Sequence, residues 1–136
     1  MDQFATKGRI REHFAGAARG VRWCSPSEAA TLLDEGGLVI DVRSDLQRRQ
    51  LGEIPGALVI GRQLVAWRLH PASPCRHPWI EGHDQRLVVV ADGRDDAVEI
   101  VAGLGELGLT GVAGLRGGFA AWSAAGLPVR QYVHAC

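Results

Sequence analysis

Apolar and polar positions alternate between two periods along this chain. Short unbroken apolar runs occur at Leu38-Val39-Ile40, Leu58-Val59-Ile60, Leu87-Val88-Val89-Val90 and Val112-Ala113-Gly114-Leu115. Runs of this length predict strands, and Leu87–Val90, unbroken and rich in β-branched residues, reads as one buried on both faces, as in a parallel sheet. Between them apolar residues recur at helical spacing. Ser25-Pro26-Ser27-Glu28 is a capping-box start for a helix that buries Ala29, Leu32 and Leu33 and stops at Gly36-Gly37. Ser44 with Gln47 predicts a second capped helix through Gln50, residues 62–69 fit a third, and about Asp95 to Leu107 a fourth. A fifth carries Phe119 and Trp122 and ends near Gly126-Leu127-Pro128. Leu64, Val65 and Trp67 are expected to pack from the third helix. Val21–Trp23 reads as a short edge strand, Glu53–Ala57 as a tight turn, and His70 to Gln85 as a long irregular loop.

Strands alternating with helices over 136 residues predict one α/β domain, a parallel sheet of about five strands with helices on both faces. Residues 4–18, with Phe4, Ile10, Phe14, Ala17 and Ala18 on one side, predict an N-terminal docking helix or arm over 1–22, ahead of a domain over 23–136. Formal net charge is zero, so no global field draws the chain to nucleic acid or membranes, and neither is expected as a partner. No apolar run approaches the roughly 20 residues that span a bilayer, and no signal-peptide core is visible, so the expected location is cytoplasmic. Cys24, Cys75 and Cys136 are odd in number and far apart, which excludes a disulfide framework. His70, Cys75, His77 and His83 match no zinc spacing. No metal and no cofactor is expected.

In an open parallel sheet, ligands bind beyond the carboxyl ends of the strands. That points to the loop after Val90, namely Ala91, Asp92, Gly93, Arg94, Asp95, Asp96 and Ala97. Asp92 is a candidate general acid or base, with Asp95 and Asp96 as companions. The same two also suit a helix cap, where negative charge favours the dipole. Three carboxylates in one short loop would further suit a divalent cation if all were aimed inward. Arg94 suits pairing with these aspartates or an acidic ligand. Asp41, Arg43, Arg62 and Trp67 complete the expected crevice, Arg43 as a loop lock and Trp67 as core or as a platform for a flat ligand.

Several pieces taken together resemble a rhodanese domain: Asp41-Val42-Arg43, Gly52-Glu53-Ile54-Pro55-Gly56-Ala57, and Leu115-Arg116-Gly117-Gly118-Phe119-Ala120-Ala121-Trp122 with Gly126-Leu127-Pro128-Val129. Gly61 to Arg68 is similar to a stand-alone, single-domain bacterial branch of that family. The resemblance spans roughly residues 23–130. It implies sulfur transfer, in which a cysteine after the fourth strand takes sulfane sulfur as a persulfide inside a cradle of backbone N–H groups. By the same resemblance, Ala91 stands where that cysteine belongs, and an alanine carries no persulfide. The related dual-specificity phosphatases need a loop cysteine as well. A like-charge contact between a loop aspartate and thiosulfate at 4 Å, at an effective dielectric near 20, would cost about 4 kcal/mol. Three functions are consistent with these residues. The first is a cysteine-less binding or regulatory module that holds a small-molecule ligand or a protein partner in the former active-site pocket. The second is a repurposed enzyme whose carboxylates dehydrate, cyclise or isomerise a small biosynthetic metabolite. The third is residual sulfur transfer through Cys24 or Cys75. The sequence leaves oligomeric state open.

Overall fold

The computed structural model describes residues 20–132; the expected docking helix over 4–18 lies outside them. Five strands form one all-parallel sheet: β1 (Arg22–Cys24), β2 (Leu38–Asp41), β3 (Leu58–Val59), β4 (Leu87–Val90) and β5 (Val112–Leu115), in the spatial order β1-β5-β4-β2-β3. The helices are α1 (Pro26–Asp34), α2 (Asp45–Leu51), α3 (Val65–Leu69), α4 (Arg94–Glu106) and α5 (Gly118–Ala124), with a 3-10 turn over Arg62–Leu64 leading into α3. No described helix is long and apolar enough to cross a membrane.

All four positions of β2, the apolar run Leu38–Ile40 and Asp41, and all four of β4 are buried because both faces of the sheet are covered. On one face Leu38, Ile40, Leu87, Val89 and Val112 pack with Val65 and Leu69 of α3, Ile80 of the long loop, and Val98, Val101 and Leu104 of α4. On the other face Val39, Val88, Val90 and Leu115 pack with Ala29 and Leu32 of α1 and with Phe119 and Trp122 of α5.

The capping box at Ser25 forms in full: its hydroxyl accepts from Glu28 N, and Glu28 Oε1 accepts from Ser25 N. Ser44 forms only half of one. Its hydroxyl accepts from Gln47 N at 3.3 Å, but the Gln47 side chain does not reach back to Ser44. The helix at 62–69 is shorter than predicted and turns differently. Val65 and Leu69 are buried, whereas Leu64 and Trp67 are 54% and 57% exposed. Five residues make barely more than one turn, too little to bury several faces, so Trp67 is not a core residue.

Two glycines answer to close approach. Gly52 ends α2 at φ 95°, and a Cβ there would lie 2.8 Å from the Arg130 carbonyl. That carbonyl accepts from Glu53 N at 2.8 Å, so the returning tail runs directly against the turn. Gly114 of β5 lies opposite Trp23 of β1. A Cβ on it would meet the indole ring at 2.8 Å. The missing side chain lets Trp23 lie over its cross-strand neighbour.

Candidate functional site

β2 and β4 are neighbours whose connections leave towards opposite edges of the sheet, β3 and β5. Such a divergence opens a crevice above the strand ends. The loop that closes β4 sits there. Ala91 is buried, while Asp92, Gly93, Arg94 and Asp95 are exposed. Asp92 Oδ1 accepts a 2.8 Å hydrogen bond from Ser44 N, and the Gln47 side-chain amide donates to the Asp92 carbonyl at 3.2 Å. Asp92 thus supplies the acceptor that Gln47 would have given in a complete capping box. These two bonds fasten the loop to the start of α2.

Two cavities flank this tie. One, of about 520 Å³, lies over the ends of β4 and β5, between the loop, α2 and α5. Its walls are Trp23, Leu51, Ala91, Ala97, Leu115, Phe119 and Ala120, with Gln47, Asp92, Arg94 and Arg116 as polar members. Gly117 and Gly118 close it at φ 74° and 63°. The other is an open groove of about 910 Å³ between α2, α4 and the 62–66 segment.

The expected crevice residues divide between these spaces. Ala91, Asp92, Gly93, Arg94 and Ala97 line the smaller cavity. Arg43 and Arg62 line the groove, which Asp92 also borders. Asp41 and Trp67 line neither. Asp41 lies beneath the site, 1% exposed, in a forked ion pair with Arg43, itself 3% exposed. Arg43 Nη2 lies 2.8 Å from Asp41 Oδ2 and also donates to the Gly52 carbonyl. Its guanidinium lies 4.1 Å from the centre of the Phe119 ring, and its Nη1 is buried without a hydrogen-bond partner. The pair locks the end of β2 to the Gly52 turn and supports the Phe119 wall.

The three loop aspartates do not converge. Asp92 turns to Ser44, Asp96 pairs with Arg62 at 3.1 Å, and Asp95 is exposed. No cluster of three or more metal-ligating side chains occurs among the described residues. Neither Asp95 nor Asp96 is the cap of α4; that position is Gly93, without a side-chain bond, and the two aspartates occupy the first turn, where they still suit the dipole. Exposure also reduces the like-charge cost towards about 1 kcal/mol per contact at 4 Å. Arg94 pairs with none of the three; its guanidinium lies 5.6 Å over the Trp23 ring. The cavity walls Trp23, Gln47, Leu51, Arg116 and Phe119 were not among the expected site residues. Only the placement of β1 beside β5 brings Trp23 to the site.

A model of the rhodanese-like domain matches residues 25–125. The chain belongs to the rhodanese-like family. Its fold agrees with that of several solved structures. A Rhodopseudomonas palustris protein of unknown function, described as a possible tyrosine phosphatase, is 25% identical with a TM-score of 0.74, over 88% of this chain and 92% of that one. The polysulfide-sulfur transferase homodimer of Wolinella succinogenes is 20% identical with a TM-score of 0.69, over 94% and 91%. A thiosulfate sulfurtransferase of Pseudomonas aeruginosa is 22% identical with a TM-score of 0.64, over 88% of this chain and 23% of that one. No curated protein matches.

Neither described cysteine of this rhodanese-like chain lines the cavity. Cys24 is 5% exposed and packs on the opposite face of the sheet from Trp23, among Val88, Val90 and Leu115. Burial pushes its thiol pKa up, and Glu28 adds to this, against the weaker pull of Arg86 and Arg116. Cys75 is exposed on the long loop. In that loop His70 and His83 meet edge to face at 5.0 Å, and His70 Nε2 lies 3.1 Å from the Leu107 carbonyl. Those contacts fasten the loop to the end of α4.

Proposed function

We propose that this rhodanese-like chain does not carry sulfur. It acts as a binding or regulatory module that holds a small-molecule ligand or a protein partner in the cavity over β4 and β5. The observation that carries this reading is the cavity's lining. Ala91 stands at the end of β4, where the family resemblance puts the thiol, and no cysteine is among the described lining residues. Cys24 is buried beside Leu115 without lining the cavity, and burial holds its thiol in the protonated form, which is the poorer nucleophile. The alternative of acid–base chemistry by Asp92, Asp95 and Asp96 has less support, since Asp92 and Asp96 turn to different partners and Asp95 is exposed.

The test is a thiosulfate–cyanide assay of wild type beside Ala91→Cys, with persulfide detected by intact mass. A silent wild type is expected. Activity in the variant alone would mean that the cradle survives and the missing thiol is the main change. Persulfide or turnover in the wild type would overturn the reading and direct attention to Cys24 and Cys75.

A further inference from the structure

Resting on that reading of the cavity as a binding site, we propose its ligand class: an organic monocarboxylate carried on a flat apolar body of one or two rings. Size comes first. About 520 Å³ falls in the range of sites for organic small molecules, roughly 300–1,000 Å³. A lone inorganic oxyanion would leave most of it empty. The walls come second. Trp23, Leu51, Ala97 and Phe119 present aromatic and aliphatic surface, and Ala91 adds a methyl group at the base. Such walls reward a ligand that removes apolar area from water.

Charge comes third. Arg94 and Arg116 are both exposed members of the lining, and neither makes an ion pair within 4 Å among the described residues. Glu28 lies within electrostatic reach of Arg116, but its carboxylate is turned to Ser25 N at 3.2 Å. Asp92 is the single acid among the described lining residues, and its Oδ1 is taken by Ser44 N. Two guanidiniums against one carboxylate match a monoanion better than a dianion. The Arg94 guanidinium sits over the Trp23 indole. With no ion-pair partner among the described residues, its N–H edge is available to a carboxylate in two-point contact. The ring body then lies against the apolar walls while the carboxylate meets the arginines.

The experiment is an amide-resolved NMR titration of the full 136-residue chain with 1-naphthoate, its neutral analogue 1-naphthamide, phenyl phosphate and inorganic sulfate. Naphthoate is expected to shift the amides of residues 91–97 and 115–120. Naphthamide should bind at least about tenfold more weakly, the scale of one lost charge-assisted hydrogen bond. Phenyl phosphate and sulfate should both fall below naphthoate. Arg94→Gln and Arg116→Gln, exposed and checked for a native spectrum, should each weaken naphthoate about tenfold and leave naphthamide unchanged. Equal binding of naphthoate and naphthamide, sulfate or phenyl phosphate equalling naphthoate, shifts centred elsewhere, or no binding at millimolar ligand would overturn the proposal. The wild-type comparison of naphthoate with naphthamide decides without any variant. Persulfide formation by the wild type would instead overturn the sulfur-silent reading, so the two failures are distinguishable.

Discussion

Asp41→Asn isolates what holds the floor of the cavity. The substitution keeps size and shape but removes the charge that faces Arg43. Three N–H groups converge on the carboxylate: Arg43 Nε and the Arg43 backbone N each at 3.0 Å, and Nη2 at 2.8 Å. Both side chains are almost fully shielded from water. Asparagine would leave the guanidinium as an uncompensated buried charge, facing only the Gly52 carbonyl and the Phe119 ring. Breaking one side of a buried pair in this way costs about 3–5 kcal/mol, a large part of the roughly 5–15 kcal/mol that stabilises a typical domain. With a urea dependence near 2 kcal/mol per molar, the unfolding midpoint should fall by about 2 M. The double variant Asp41→Leu/Arg43→Met removes both charges and should recover more than half of that loss. A fall below about 0.5 M for Asp41→Asn, or a double variant as unstable as the single one, would refute the argument that charge compensation, rather than packing alone, holds this floor.

Gly114→Ala should cost about 1–3 kcal/mol through overpacking, and should move the Trp23 indole, read as a change in near-ultraviolet dichroism. Asp92→Ala should cost about 1 kcal/mol, the scale of a lost helix-start acceptor, with Asp92→Asn closer to wild type in the same urea experiment. Iodoacetamide under native conditions, mapped by peptide mass, should modify Cys75 and spare Cys24 until the chain unfolds. Rapid native labelling of Cys24 would contradict its burial and its raised pKa. Burial, reinforced by Arg68, lowers the His77 pKa. The folded state therefore binds its proton less readily than the unfolded one, and the associated stability is present above the ordinary imidazole range and lost as pH falls through the folded value. His77→Asn should accordingly flatten the stability loss between about pH 7 and pH 5.

Much of the architecture was legible in the chain because its signals are local. Leu87–Val90 reads as a doubly covered strand and is one. Ser25 and Glu28 read as a capping box and form it. Loop 91–97 stands above the sheet, where the strand ends put it. What could not be read depends on strand order. Trp23 reaches the cavity because β1 lies beside β5, and a hydrophobic pattern carries no information about which strands are neighbours. Arg62 and Ala91 were placed in one crevice. The tie from Asp92 to Ser44 separates the groove bordered by the first from the cavity lined by the second. Trp67 carried a core-type side chain on a helix too short to bury it.

The sheet order also constrains how the site is assembled during synthesis. β1 pairs only with β5, so Arg22–Cys24 has no sheet partner until residues 112–115 have been made. Until then Trp23 lacks the glycine it rests on, and the cavity lacks Arg116 and Phe119. β2, β3 and β4 can pair beforehand, since their contacts need nothing downstream. The last strand is therefore inserted between two that precede it, a long-range closure of the slow kind. A nascent chain stopped short of β5 would hold a three-stranded sheet with an open β4 edge, a template for pairing with other chains. Closing that edge and completing the cavity are one event.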